Sequence, residues 1–352
     1  MRSSFPLISL VLVLSSISTA QVPTYDLRFV GGGSPTAVND HGNIGFNDGG
    51  RSWFASAAGN IELLPLPDDA TSSVARDLND SNLIVGQASG ASIGSRAVVW
   101  QPEGPSTWSV TFVPTTNVFD SDATAVNDIG DVIGWFTAGG TYVYNDTDGF
   151  LDLYSFVALG LAPWPSDINN QRVIVGRNFF GHVALVDIES LTWEDFGLPT
   201  GTGTNYMAID ANGINDLGDI CGRGVVATSL PDDDQAVRYD AGTETWVALN
   251  APVPQASALD LDAAGNTLFA VGFSSPVLMF FEGEGTFDVE QLVAPEDQTW
   301  SLAFPGDISD DGNIVCMGFD SASGTSGIVV LTPRSLRGRV FRKDGPPSPT
   351  MR

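Results

Sequence analysis

One motif returns seven times along this chain of 352 residues. Its clearest copy is ATAVNDIGDVIGW, Ala123 to Trp135. Aligned on the Asn of VND, the copies are anchored at Asn39, Asn79, Asn127, Asn169, Asn215, Asp262 and Ser309. The anchors are 40, 48, 42, 46, 47 and 47 residues apart. A near-constant period in this range marks a propeller or a solenoid.

The aligned columns carry physical meaning. The residue before the anchor is apolar in every copy: Val38, Leu78, Val126, Ile168, Ile214, Leu261 and Ile308. Four before it stands Ala or Pro: Pro35, Ala75, Ala123, Pro165, Ala211, Ala258 and Pro305. Five after it come Ile44, Ile84, Val132, Ile174, Ile220 and Ile314, with Thr267 as the exception. A short strand therefore ends at the anchor, and a turn rich in Asn, Asp and Gly follows, residues that tolerate positive φ. A second strand (DVIGW, RVIVG), a third (RAVVW, HVALV) and a fourth complete about 45 residues with no amphipathic helix, which is one propeller blade.

One such sheet cannot bury both of its faces, whereas seven packed round an axis can. The seventh copy supplies three strands and then runs out, so Thr24–Val30, TYDLRFV, is expected to provide its fourth strand and close the ring. The fold class is thus all-β: a seven-bladed β-propeller of four-stranded blades, its last blade closed by an N-terminal strand. The stretches ARDLNDSNLIVG, ATAVNDIGDVIG and PSDINNQRVIVG, with RAVVW and QAVRY as third strands, resemble the extracellular HAF-repeat proteins. That resemblance implies a secreted propeller and supplies no activity. The turns YDAGTETW and VDIESLTW give a weaker kelch-like resemblance.

The ends differ from the body. Residues 1–20 read as a secretory signal: Arg2, the apolar run FPLISLVLVL, then Ser18 and Ala20 at a small-residue cleavage site. The propeller is expected over 21–333. Residues 334–352 hold six basic residues and one acid, and are expected to be a disordered tail. Between Gln21 and Pro333 there are 41 acids, eight arginines and no lysine, within a chain of net charge −27. Such a body repels nucleic acid and anionic membranes. No later stretch is apolar enough for a membrane span. Cys221 and Cys316 fall in repeats too far apart for a bridge and are expected free and buried.

Little in the chain reads as catalytic. Its two histidines, His41 and His182, lie in different repeats, and Ser92 of GASIG lies between strands, where a nucleophile elbow does not form. The stronger candidates are acids two residues before their anchors: Asp77, Asp167, Asp260 and Asp307. They share a strand face with the anchors. On an innermost strand they would ring the axial channel and could bind Ca²⁺ or a cationic group. The competing and favoured reading has them bonding local backbone amides to fix the turn. DISDDG, Asp307–Gly312, partly imitates a calcium loop and adds Asp311, but Gly318 stands where a bidentate Glu belongs. The expectation is a secreted, cell-surface or periplasmic monomer that binds or scaffolds a glycan, peptide or envelope component without catalysis. A hydrolase or lyase would need Arg76, Arg172, Arg177 and Arg223 to converge with carboxylates. A calcium-dependent adhesion protein would need the acids to hold metal.

Overall fold

The computed structural model describes residues 22–115, 120–137, 140–153, 164–227, 233–249, 255–272 and 276–334. The expected signal and all of the basic tail beyond Arg334 lie outside them. The described residues form seven four-stranded antiparallel sheets, each a meander running outward from the axis. Blade 1 is β2 to β5 (Ser34–Val38, Ile44–Asp48, Arg51–Ala55, Ile61–Leu63). Blade 2 is β6 to β9 (Ser72–Leu78, Ile84–Gly90, Gly94–Gly104, Thr107–Phe112), and blade 3 is β10 to β13 (Ser121–Val126, Val132–Phe136, Gly140–Asn145, Gly149–Asp152). Blade 4 is β14 to β17 (Trp164–Ile168, Val173–Arg177, Val183–Asp187, Thr192–Gly197), and blade 5 is β18 to β21 (Tyr206–Ile214, Ile220–Val226, Gln235–Asp240, Thr245–Ala248). Blade 6 is β22 to β25 (Ala256–Leu261, Thr267–Val271, Val277–Phe281, Gly285–Asp288).

Blade 7 joins β26 to β28 (Trp300–Ile308, Ile314–Asp320, Ser326–Pro333) to β1 (Tyr25–Gly31), in the order β1-β28-β27-β26. The N-terminal strand closes the ring, as the sequence predicts. Tyr25 pairs with Pro333 and is 1% exposed, buried among Val289, Val293 and Leu331. Two short 3-10 turns, Val289–Leu292 and Pro295–Asp297, precede β26. No helix among the described residues is long and apolar enough to cross a membrane.

The repeat columns are the contacts between blades. The residues five after the anchors, Thr267 included, are all at most 1% exposed. The six aliphatic ones sit in apolar clusters that span neighbouring blades; one joins Val38, Ile44 and Phe46 of blade 1 to Val315, Ile328 and Val330 of blade 7. Burying each such side chain contributes about 1.5–3 kcal/mol. Trp100 is buried with its indole N–H donated to Pro65 O at 2.8 Å, and Trp246 is buried, whereas Trp193 is exposed. Cys221 and Cys316 are free and buried.

The turn after each anchor has one geometry. In blade 3, Asn127 N–H donates to Asp131 O and Gly130 N–H to Asn127 O. The third residue after the anchor is left-handed in all seven turns: Gly42, Asn82, Gly130, Arg172, Gly218, Gly265 and Gly312, with φ between 62 and 87°. Glycine serves five of the seven because it carries no Cβ penalty there.

A second irregularity escapes the period-two reading. The innermost strands of blades 1 to 6 carry a bulge between four and two residues before the anchor, as at Ala75/Asp77 and Pro165/Asp167, and in blade 7 the irregularity is wider, from Ala303 to Asp307. The extra residue bends the strand at the axis. It also brings backbone against the facing strand: a Cβ on Gly86, opposite Ala75, would collide with Val74 O.

Candidate functional site

The meander gives the ring two different ends. The anchor turns join first and second strands at one end, the turn face. The first strands begin, and the second strands end, at the other, the loop face.

At the turn face lies an axial cavity of about 130 Å³. This is smaller than the ~300–1,000 Å³ of a usual small-molecule pocket. Its lining comes from residues two before, one before, at and one after the anchors, stacked as four rings.

The anchors bind blade to blade. Nδ2 of Asn39, Asn79, Asn127, Asn169 and Asn215 each donates to the backbone oxygen of the next anchor, at 2.9–3.1 Å. Each Asn Oδ1 accepts an amide from its own turn, such as Asp131 N at 2.8 Å. Asp262 and Ser309 break the series. Between blades 6 and 7 the link is instead Ala263 N–H to Asp310 O at 3.3 Å. Between blades 7 and 1, Asn313 Nδ2 takes over and reaches Asn39 O and Asp40 O.

The residues two before the anchors run Ala37, Asp77, Ala125, Asp167, Gly213, Asp260, Asp307. The four acids line the cavity together, as an innermost strand requires. They also bond amides, in a wider sense than local turn-fixing. Asp77 accepts from its own Leu78 N and from Val126 N of blade 3, both at 2.7 Å. Asp167 accepts from Ile168 N at 2.7 Å and Ile214 N of blade 5 at 2.8 Å. Asp307 accepts from Ile308 N and, at 2.9 Å, from Val38 N of blade 1. Asp260 accepts from its own Leu261 N, and its other contact is the Asp307 carboxyl. Each amide belongs to the apolar residue before an anchor and points at the axis.

Small neighbours make room for this reach; a Cβ on Gly213 would strike Asp260 Oδ1. The four carboxyls are partly open to the cavity, but protein packs round them on every other side and governs their titration. Desolvation, then the charges of Asp307 and Asp167, push Asp77 up to about 8. Desolvation raises Asp167 to about 6 and Asp260 well above the carboxylate range.

The outermost ring is Asp40, Asp80, Asp128, Asn170, Asp216, Ala263 and Asp310. Its side chains also accept neighbouring amides: Asp80 from Asp40 N, Asp128 from Asp80 N, and Asp40 from Asp311 N. Asp311 itself is exposed at the rim. Desolvation and the charge of Asp40 raise Asp310 to about 8. Among the described residues, no three His, Cys, Asp or Glu side chains are grouped as a metal site.

Outside the rings, Arg238 is 3% exposed and bridges the buried Asp219 of blade 5 to Glu282 of blade 6. Its guanidinium leaves no space for a Cβ on Gly265. Reading by columns misses this network, because neither Arg238 nor Glu282 repeats.

The loop face has different chemistry. Trp164, Phe179, Phe180 and Met207 are 51, 59, 62 and 59% exposed. Trp164 and Phe179 lie 5.7 Å apart, and the Arg177 guanidinium sits 5.4 Å from the Trp164 ring. Ile209 N–H donates to Gly181 O, tying this blade 4 loop to β18 of blade 5. Arg177 and Arg223 both pair with Asp210, and Arg223 also with Asp234. The other two candidate arginines are elsewhere: Arg76 pairs with Asp122 of blade 3, and Arg172 with Asp131 and Asp148 on the turn face. The four arginines therefore do not converge. His182 Nδ1 lies 3.0 Å from Asp195 on the outer part of blade 4, His41 is exposed in its turn, and Ser92 lies in the β7–β8 connection.

No known family and no curated protein matches the chain. Solved structures do. The chain is similar to a catalytically inactive variant of virginiamycin B lyase from Staphylococcus aureus with quinupristin (13% identity, 88% of this chain and 99% of that one, TM-score 0.53). It is similar to YCF48 bound to D1 peptide (12% identity, 90% and 97%, TM-score 0.54) and to YCF48 from Cyanidioschyzon merolae (9% identity, 88% and 98%, TM-score 0.50). At such identities the likeness establishes the fold, a seven-bladed β-propeller whose relatives in shape have varied roles.

Proposed function

We propose that the chain is a secreted or cell-surface, non-enzymatic propeller that binds a peptide on the loop face of blades 4 and 5. The observation that carries this reading is the patch of Trp164, Phe179, Phe180 and Met207 beside Arg177. Large exposed apolar groups at one place mark interaction sites, and aromatic residues with arginine dominate binding hot spots. A peptide with an apolar anchor and a carboxylate fits a platform flanked by two guanidinium groups. That YCF48 is found with a peptide on the same fold supports the class of partner. The signal-like residues 1–20, the net charge of −27 and the HAF-like repeats support an extracellular setting.

The test is an array of twelve-residue peptides, with free and amidated C-termini, probed with the purified mature protein. Binding that falls at least tenfold in Trp164→Ala and Phe179→Ala supports the reading. Binding that survives both, or release of a cleavage product from any bound peptide, overturns it. Secretion is tested separately, by whether the exported protein begins at Gln21. A second reading, calcium-dependent adhesion, is favoured by the carboxylates of Asp40, Asp80, Asp128, Asp216 and Asp310 round one mouth. It requires melting to rise several degrees in millimolar Ca²⁺ over EDTA at matched ionic strength.

A further inference from the structure

Seven axial amides need acceptors, one from each blade: Val38, Leu78, Val126, Ile168, Ile214, Leu261 and Ile308. A carboxylate two before an anchor can close two of them, its own and the next blade's. Asp77, Asp167 and Asp307 close six in this way. The seventh, Leu261 N, is closed by Asp260. Asp260 has no second amide to take, because the one it faces, Ile308 N, is already held by Asp307. Its free oxygen meets the Asp307 carboxyl, and two carboxylates in hydrogen-bond contact hold together only with a proton between them. An even ring could alternate Asp and small residues without a remainder. Seven blades leave one adjacent pair.

The same seam lacks the side-chain anchor link, since Asp262 stands where blades 1 to 5 have an amide donor. We propose that the axial end of the seam between blades 6 and 7 is latched by one proton shared by Asp260 and Asp307, and that raising the pH releases this latch. Its surroundings favour keeping the proton. Asp167 and Asp77 face the pair across the axis. Asp262, Asp310, Asp40, Asp80, Asp128 and Asp216 stand above it, and Cys221 lies beside it. Arg238 acts on Asp262 at this end, and it is held by Asp219 and Glu282. Outward from the axis, the largest apolar cluster, Leu268 and Met279 against Leu302 and Ile314, holds the two blades together, so release is local.

Folded-state values above the ordinary carboxyl value mean that the stabilisation is complete at acid pH and lost as pH rises. Carboxyl-carbon NMR of the intact protein reads the latch directly. Near neutral pH the Asp260 and Asp307 side-chain carbons should report one proton for the two, and both signals should move together on alkaline titration. Two fully ionised signals at neutral pH overturn the proposal. Asp260→Asn supplies the same hydrogen bond from an amide and keeps an acceptor for Leu261 N. Its melting temperature should fall less than wild type's between about pH 5 and pH 9. Asp307→Asn leaves one of two amides unpaired and should melt lower at every pH. Equal pH slopes for wild type and Asp260→Asn also overturn the proposal.

Discussion

The two ends of the axis use the same residue types for opposite purposes. At the turn face, charged and amide side chains are consumed within the protein: Asp77 by two amides, Asn127 by an amide and a carbonyl, and Arg238, outside the rings, by two carboxylates. At the loop face, Arg177, Arg223 and the aromatic residues beside them remain partly open to water. Polar chemistry that closes a ring is buried and matched, whereas chemistry available to a partner is left exposed. A count of acids by itself does not distinguish the two.

Paired substitutions sharpen the contrast. Arg238→Ala should cost about 3–5 kcal/mol in denaturant unfolding, because it leaves Asp219 buried without its cation. Arg223→Ala on the loop face should cost about 0–1 kcal/mol, as for an exposed ion pair. Similar losses would erase the distinction between the faces. Next in size, Asn127→Ala should cost about 1–3 kcal/mol, because the Asp131 amide loses its partner and the Asn169 carbonyl one of two donors. Thr124→Ala, on the same strand but in its bulge, should cost about 0.5 kcal/mol or less if only the ring positions matter.

The pH dependence separates the ends again. Asp77 and Asp310 are pushed up to about 8, and Asp167 and Asp262 to about 6, all by desolvation first. Between their ordinary value of about 3.9 and these values the folded state holds more protons than the unfolded chain. Stability should therefore fall as pH rises through 6 and again through 8. Exposed carboxyls held low by hydrogen bonds, such as Asp320 through Ser323, act oppositely, and their contribution is lost only on acidification below about 4. A melting temperature that climbs from pH 5 to pH 9 would show that the turn-face acids do not hold protons above the ordinary carboxyl range. The smallest expected effect on stability is at the patch: Phe179→Ala should change unfolding by about 0.5 kcal/mol or less, even where peptide binding is abolished.

Much of the fold is legible in the sequence because a propeller repeats. The column at Val126 recurs in each copy and that at Val132 in all but one, and the missing strand of the last copy points to Thr24–Val30, where the structure has β1, Tyr25–Gly31. The axial lock is only half legible. The column Ala37, Asp77, Ala125, Asp167, Gly213, Asp260, Asp307 is visible as an alternation, but its meaning depends on ring closure: Asp307 reaches Val38 across 269 residues of chain. The bulges are hidden because the residues that create them, from Thr36 to Leu259, have no common chemistry. The loop-face patch leaves no column at all, since Phe179 and Phe180 lie in a single blade's connection.

Native-state amide hydrogen exchange of the intact protein tests whether the axial aspartates hold the blades together. Without the four aspartates, the seven amides aimed at the axis would face cavity water and exchange readily. If the carboxyls close them, Val38, Val126 and Ile214 should exchange as slowly as core amides such as Ile133, through unfolding of the whole ring. Fast exchange at these three positions, with Ile133 still protected, would show that the axial acids do not hold the blades together.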